Sequence, residues 1–294
     1  MANLKEVKGR IQSVTSTQQI TKAMKMVAAA KLRRAQDNIT QMRPYAQKLT
    51  GMLQNLSAQQ DDNAEGGDFS EVRNVNRVLL LVVTSDKGLC GAFNSNIFKA
   101  TNRHINKTYK RQFDNGSVDI LPIGKKALDY FTKRDYNVIA DYWDMFSPVD
   151  FDKSTAISEF AMEKFLAGEY DKVEIVYNEF KNVATQVLQV EQYLPVLPPE
   201  ETENGKFEVD YIFQPSRQEI VEDLIPKSLK VQVFKAILES NAAEHGARMT
   251  AMDQATDNAG ELLKELKLTY NRTRQAAITT EILEIVAGAE ALGS

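Results

Sequence analysis

The chain is poor in the residues from which many active sites and structural cross-links are built. Among 294 residues there are one cysteine, two histidines and one tryptophan. A single cysteine excludes an internal disulfide, and His104 and His245 lie too far apart to form a spaced metal-ligand motif. No apolar run approaches the roughly 20 residues that a membrane-spanning helix needs, and the first ten residues lack the apolar core of a secretory signal. These absences favour a protein of the reducing cytoplasm.

Charge is distributed unevenly along the chain. Residues 1–50 contain ten Lys or Arg and two Asp or Glu, a net charge of +8, so the remaining residues carry −12 of the total of −4. A basic arm on an acidic body indicates an anionic partner, such as nucleic acid, lipid or an acidic protein surface. A solvated helix face without any partner explains the charge equally well.

The N-terminal segment follows the apolar repeat of a coiled coil. One register, with spacings of three and four, runs from Leu4 to Leu56 without a slip. We expect weak packing at its three consecutive polar positions, Gln18, Thr21 and Lys25, and a kink at Pro44, which removes one backbone hydrogen bond. The predicted core positions are Leu4, Val7, Ile11, Val14, Gln18, Thr21, Lys25, Ala28, Leu32, Ala35, Ile39, Met42, Ala46, Leu49, Leu53 and Leu56.

The C-terminal segment shows the same repeat. Its helix is expected to begin between Pro215 and Pro226, to end near Leu292 and to pair antiparallel with the first helix. Because it is longer by about 10–20 residues at the common rise per residue, its end, about 274–292, should extend beyond the partner and need another protein to cover its apolar residues. The predicted core positions are Met249, Met252, Thr256, Ala259, Leu263, Leu266, Tyr270, Thr273 and Ala277.

The middle of the chain predicts an α/β domain after a polar linker. Strands alternating with helices are typical of a mainly parallel, Rossmann-like sheet. The predicted strands are Val78–Val83, Val118–Ile123, Asn137–Tyr142, Val173–Tyr177, Gln186–Tyr193 and Lys206–Phe213, the last two in a hairpin or at an edge. The predicted helices are Asn94–Asn106, Lys125–Arg134 and Thr155–Ala167. The expected organisation is an N-terminal coiled-coil helix (1–57), a linker (58–76), the central α/β domain (77–214) and a C-terminal coiled-coil helix (215–294).

The best candidate for chemistry is the loop Thr84–Gly91, which joins a predicted strand to a predicted helix. A strand, a glycine loop and a helix N-terminus together can hold a phosphate, but neither the Rossmann nor the Walker glycine spacing is present. We therefore favour a structural turn. Cys90 has no histidine near it in the sequence, so a small buried apolar role is favoured over that of a nucleophile.

Four stretches of the sequence resemble the gamma subunit of rotary ATP synthases. They are Ile20–Ala28 (ITKAMKMVA), Ser85–Gly91 (SDKGLCG), Ala247–Asn258 (ARMTAMDQATDN) and Tyr270–Thr279 (YNRTRQAAIT). The resemblance implies a central rotor shaft, one copy per complex, that stands inside a ring of alternating alpha and beta subunits. It implies that the globular base binds the epsilon subunit and the membrane c ring, and that proton flow turns the shaft. The catalytic residues would lie on beta, so this chain would carry none and would need no cofactor.

The resemblance also implies contacts with beta for individual residues. Met24 and Lys25 match the part of the shaft that faces an acidic lever segment of beta, which suits the basic arm. Arg274, Gln275 and Thr279 match the contact between the shaft and the catch loop of beta.

Other matched positions concern the inside of the shaft and its foot. Arg248 lies where the family couples the two helices. Tyr211, Gln214 and Pro215 match the foot that meets the c ring and epsilon, although Gln214 stands where the family often has an acidic residue. The chain length and the lack of a transit peptide favour a bacterial form, peripheral on the cytoplasmic face of the inner membrane. With Cys90 alone, the paired-cysteine switch of the plant chloroplast form is excluded.

Two other functions remain open at this point. A coiled-coil nucleic-acid-binding protein would use the basic arm, although aromatic residues are not interleaved with its charges. A nucleotide-binding α/β enzyme would use the turn at Gly88–Gly91.

Overall fold

The computed structural model describes residues 4–58, 68–146, 148–196 and 217–292. The chain forms two compact units, one of Met1–Ala28 with Arg248–Ser294 and the other of Ala29–Ala247. Two long helices, α1 (Leu4–Ala58) and α6 (Arg217–Leu292), each contribute residues to both units. The strand predicted at 206–213 lies outside the described residues.

The first unit is an antiparallel pair of helices. Lys25 of α1 contacts Asp253 of α6. Gln18, two turns earlier on α1, contacts Thr256, which lies later on α6. The two helices therefore run in opposite directions. All the predicted core positions in this unit are buried or half-buried, on α1 from Leu4 to Ala28 and on α6 from Met249 to Ala277. The predicted heptad register is confirmed for the positions in this unit, because their side chains are buried or half-buried against the partner helix. The side chains of Leu53 and Leu56, the last two predicted positions of α1, lie outside the described ones.

The second unit contains a sheet of five strands. The strands are β1 (Val78–Val83), β2 (Val118–Ile123), β3 (Asn137–Val138), β4 (Lys172–Phe180) and β5 (Gln186–Leu194). Their order in the sheet is β3-β2-β1-β4-β5. β1 pairs in parallel with β2 and β4, β2 pairs in parallel with β3, and β5 is antiparallel to β4 at one edge. The predicted mainly parallel sheet is therefore confirmed.

Helices cover the sheet, so every residue of β1 and β2 is buried. On one face the helix α5 (Phe151–Leu166) packs together with the early turns of α6, where Ile225, Leu229 and Val233 recur every four residues and join the main core. This spacing places them on one side of the helix, facing the sheet. The connecting helices are α2 (Phe93–Thr108), α3 (Lys110–Asp114), α4 (Lys125–Thr132) and α5 (Phe151–Leu166).

The third predicted strand is shorter than expected. Only Asn137 and Val138 pair with β2, and a 3-10 turn follows at Ala140–Tyr142. The amide of Ile139 makes a last hydrogen bond to the carbonyl of Ile120, 2.9 Å away. After Ile139 the β-branched residues stop, and Ala140 and Asp141 have low strand propensity, so the backbone turns. The short helix α3 was not predicted.

In the second unit α1 continues through Pro44, and Leu32, Ala35, Ile39 and Leu49 are buried. The kink expected at Pro44 stays a prediction. Helix α6 begins at Arg217, between the two prolines as predicted, and continues through Pro226.

Candidate functional site

A polar layer lies between the paired helices of the first unit. The hydroxyl oxygens of Thr21 and Thr256 are 2.8 Å apart, and Thr21 is only 8% exposed. The ammonium of Lys25 lies 2.5 Å from Asp253 Oδ1. Gln18 Nε2 lies 3.5 Å from the carbonyl oxygen of Thr256, at the outer limit of a hydrogen bond. The three polar core positions are thus matched by polar groups on α6.

Replacing these three polar residues should make the helix pair more stable. In the triple variant Gln18→Leu, Thr21→Leu and Lys25→Leu, added apolar burial should raise the free energy of unfolding by about 1–3 kcal/mol, because paired polar groups rarely stabilise more than well-packed apolar ones. Thr256 keeps its hydrogen bond to the carbonyl of Met252. Urea unfolding of the full chain measures the change, and single-molecule torsion measurements should show a stiffer helix pair.

A matched control places the same new residues outside the core. Ser16, Gln19 and Lys22 are exposed on α1. Their replacement by leucine should leave the unfolding free energy nearly unchanged. A loss of stability in the core variant would contradict the prediction.

The residues matched to the lever contact of beta, Met24 and Lys25, are half-buried. Lys25 also forms an ion pair with Asp253, so its positive charge is partly balanced within the chain. Three apolar residues nearby, Ile20, Met26 and Val27, are between 57% and 61% exposed. The sequence had indicated Met26, with Met24, as either a partner contact or a packing residue, but Ile20 and Val27 were missed. All three lie outside the heptad positions. An apolar residue outside those positions does not face the partner helix, and this is the signal that could have marked them as an exposed contact surface.

The end of α6 is an exposed helix with apolar side chains. The antiparallel register, extended to Leu4, brings the start of α1 level with about Arg274. Every described side chain from Ile278 to Ala289 is exposed. The large apolar side chains among them are Ile278 (45%), Ile282 (55%), Leu283 (63%), Ile285 (71%) and Val286 (49%). We call these five residues the apolar tip.

The structure places the other matched residues as follows. Arg274, Gln275 and Thr279 are exposed on α6 just before and within the tip segment, and the hydroxyl of Thr279 donates to the carbonyl of Gln275. Arg248 is half-buried on α6. The foot residues Tyr211, Gln214 and Pro215 lie outside the described part of the chain.

The loop after β1 uses its polar groups in hydrogen bonds within the domain. Ser85 and Asn94 are joined by several hydrogen bonds, one of them from Asn94 Nδ2 to Ser85 Oγ at 2.7 Å. Asp86 Oδ1 accepts from the amide of Lys125 at 3.1 Å, and so holds the start of α4. Cys90 is 2% exposed, as a small buried apolar role predicts. These contacts support a structural turn that joins two strand-to-helix connections.

Glycine is required where these two connections meet. Gly124 has φ of 108°, and a Cβ at this position would lie 2.3 Å from the carbonyl oxygen of Thr84. The hydroxyl of Thr84 accepts from the amide of Ala127 at 2.9 Å. The ends of β1 and β2 therefore approach more closely than a side chain allows.

A buried carboxylate anchors α2 to β4. Glu174 accepts from Tyr109 Oη at 2.7 Å, lies 2.5 Å from His104 Nε2 and is 3.3 Å from Lys172 Nζ. Burial by itself raises the pKa of Glu174, but the hydrogen bonds from His104 and Tyr109, together with the charges of His104 and Lys172, outweigh it and lower the pKa below the ordinary value. Burial, reinforced by Glu174, raises the pKa of Tyr109, which therefore stays a neutral donor.

The stability contributed by Glu174 should depend on pH. Because its pKa is lower in the folded chain, the stabilisation is complete above the ordinary value of 4.5 and is lost as pH falls through the lower folded value. Glu174→Gln should cost about 1–3 kcal/mol at neutral pH, since one of the two donors to this buried group then faces an amide NH2 in place of an acceptor. The variant should also weaken the acid dependence of unfolding. Urea titrations from neutral to acidic pH measure both effects.

The control for this prediction is Glu169→Gln, which removes an exposed carboxylate paired with Lys164. It should leave the pH dependence of unfolding close to that of the unchanged chain. Equal acid dependence in the Glu174 variant and the unchanged chain would contradict the assignment.

Other site chemistries find no support in the part of the chain described. Among those residues, no group of three or more His, Cys, Asp or Glu side chains could hold a metal ion. None of the described helices combines the length and apolarity needed to cross a membrane.

The fold and the site define a class of protein. It combines an antiparallel two-helix coiled coil, an exposed apolar helix end that extends beyond the start of α1 and a Rossmann-like α/β domain. A family model described as ATP synthase matches residues 3–292.

The comparisons with individual proteins identify the family more closely. The ATP synthase gamma chain of Cytophaga hutchinsonii is 57% identical over 100% of both chains, and that of Flavobacterium psychrophilum is 55% identical over 99% of both. A solved rotor of the Euglena gracilis mitochondrial ATP synthase has a TM-score of 0.63 at 26% identity and covers 94% of this chain and 98% of its own. This chain belongs to the family of ATP synthase gamma chains, the subunits of the central stalk.

Proposed function

We propose that this chain is the shaft that couples rotation of a membrane c ring to conformational changes at the catalytic beta subunits of a proton-translocating ATP synthase. It is not catalytic itself. One copy stands in each complex, with alpha, beta and epsilon subunits as its partners, on the cytoplasmic face of the bacterial inner membrane. The observation that carries this proposal is the apolar tip of α6.

The apolar tip is evidence for a contact in which other subunits enclose the end of α6. A helix end with five large apolar residues, all of them exposed, should not remain in water, because soluble proteins rarely expose such a surface unless it binds something. The segment from Ile278 to Ala289 carries five large apolar side chains and only two charged ones, Glu281 and Glu284. Such a surface can be enclosed by other subunits and still turn, since apolar contacts are not directional. Arg274, Gln275 and Thr279, at the N-terminal side of this segment, are exposed and can contact a loop of beta.

The basic arm supports a contact with acidic segments of beta. Lys22, Lys31, Arg33 and Arg34 are exposed on α1. We assign the lever contact to Met24 and Lys25 as the resemblance implies, and add Ile20, Met26 and Val27 as apolar contacts beside them. Arg248 is proposed to help couple the helices, and Tyr211, Gln214 and Pro215 to form the foot on the c ring and epsilon.

Co-purification tests the assignment of partners. An affinity tag on this chain should retain alpha, beta and epsilon subunits together with ATPase activity. Removal of residues 280–294 should weaken assembly with the alpha and beta ring, since these residues carry four of the five apolar tip residues. Unaffected assembly with every partner would contradict the role proposed for the tip.

The relatives give no support to the nucleic-acid-binding alternative. A steep, salt-dependent affinity of the assembled complex for DNA would be its signature.

A further inference from the structure

A single carboxylate joins three elements of the second unit. Glu239 on α6 is 1% exposed. Its Oε1 accepts from Arg43 of α1, with Nη2 at 3.0 Å and Nε at 3.3 Å. Its Oε2 accepts from the backbone amide of Phe180, the last residue of β4, at 3.2 Å. The two long helices and the central sheet therefore meet at one side chain.

Apolar side chains of both long helices lie beside this junction. Ile39 and Met42 of α1 face Leu238 of α6 beside the Arg43–Glu239 pair. Two helical turns after Glu239, a Cβ at Gly246 would lie 3.3 Å from the ring of Phe180. The end of β4 thus lies along one face of α6, and the carboxylate of Glu239 is directed into that contact.

Stability alone does not account for a charge at this position. The buried carboxylate of Glu239 is costly to desolvate, although its partner Arg43 is 49% exposed. Apolar residues of similar size often stabilise a protein as much as such a pair or more. Apolar contacts, however, allow a helix to slide or turn slightly against its support. The forked contact with a guanidinium and the bond to a backbone amide are directional, and they define one setting of the helix.

We infer that Glu239 is a positioning residue for rotary coupling, which sets both shaft helices at a fixed rotation and height on the sheet domain. The inference rests on the proposed function of the chain as a shaft. Torque that enters through the sheet domain must reach α1 as well as α6. Glu239 is a buried side chain that bonds to both α1 and the sheet from its place on α6. Loss of its charge lets the helices slip when the shaft is under load.

The test compares coupling with simple turnover in the assembled complex. Glu239→Gln keeps the size of the side chain and an acceptor for the Phe180 amide but removes the charge that binds Arg43. Complexes carrying this variant in inverted membrane vesicles should hydrolyse ATP at near the unchanged rate. Proton pumping per ATP hydrolysed should fall several-fold. Arg43→Lys, which keeps a charge but loses the fork, should give an intermediate ratio, and Arg43→Gln should resemble Glu239→Gln.

The matched control is a second ion pair that also ties α6 to the domain. Lys230 of α6 lies 2.7 Å from Glu159 of α5, and the Glu159 side chain is 58% exposed. Glu159→Gln should leave the ratio of pumping to hydrolysis unchanged. A fall of the same size in this control would overturn the inference, since the ratio would then report any loosening of the domain.

Two further results would decide the matter. If Glu239→Gln lowers the stability of the free chain but leaves the pumping ratio of the assembled complex unchanged, Glu239 is structural only and the inference is wrong. If Glu239→Gln fails to assemble, Arg43→Gln provides the same test, because Arg43 is partly exposed. An unchanged ratio of proton pumping to ATP hydrolysis in Arg43→Gln would also overturn the inference. Failure of the proposed shaft function is seen separately, as normal turnover when the tip of α6 is cross-linked.

Discussion

Cross-linking the apolar tip of α6 to beta subunits is expected to abolish ATP turnover. Cysteines at Ile278 and Ile285, two helical turns apart, can each be joined to a cysteine on a facing beta subunit. Ile285 is 71% exposed, and the native Cys90 is buried, so the new thiols should react selectively. If the shaft must turn, a covalent bond to the ring blocks every catalytic cycle after the first. ATPase activity before and after oxidation measures the effect.

The design separates rotation from damage to the tip. Reduction of the same sample should restore activity, and complexes with cysteines on this chain alone should stay active under oxidation. Two cross-links prevent the end of the helix from swivelling about a single bond. Normal turnover with both cross-links complete would refute the proposed shaft function.

Gly124→Ala is expected to produce the largest loss of stability from a single methyl group. The positive φ strains any residue with a side chain, and the new Cβ would lie 2.3 Å from a backbone oxygen, which cannot move as a side chain could. The cost should reach about 3 kcal/mol or more, because backbone strain and displacement of the Thr84 loop add. Urea unfolding of the full chain measures it.

Gly116→Ala is the matched control for this effect. Gly116 also has a positive φ, of 69°, but a Cβ there would meet no atom within 4 Å. This variant should lose only about 1 kcal/mol, the cost of the left-handed conformation. Equal losses in the two variants would show that the close approach at Gly124 is unimportant.

Much of the fold could be predicted because burial in this chain follows simple periods. In α1 and α6 the apolar residues recur at alternating spacings of three and four residues. The predicted core positions that the structure describes are buried or half-buried. In the middle of the chain, short apolar runs alternate with helical patterns, which predicts a parallel sheet. The prediction was wrong for most of 137–142, because the β-branched residues end at Ile139 and a 3-10 turn follows at Ala140–Tyr142.

The candidate site was predicted less completely. The difference in length between the two helical segments is enough to predict an apolar tip on the longer one, because equal rise per residue leaves its end without a partner. The sequence did not show that Lys25 forms an ion pair with Asp253. A heptad position indicates that a residue faces the partner helix, but not which residue lies opposite. Nor did the sequence mark Glu239, which lies in an otherwise ordinary helical stretch. Its partners Arg43 and Phe180 are distant in sequence, and only folding brings them together.

By itself the sequence determined the two coiled-coil segments, their register, the parallel α/β domain and the family. These features depend on local periodicity and on continuous motifs, which can be read along the chain. Only the tertiary structure decided which polar residues face one another, why Gly124 must lack a side chain and where one carboxylate joins both long helices to the sheet. Those properties depend on distances between residues far apart in sequence, and such distances exist only in the folded chain.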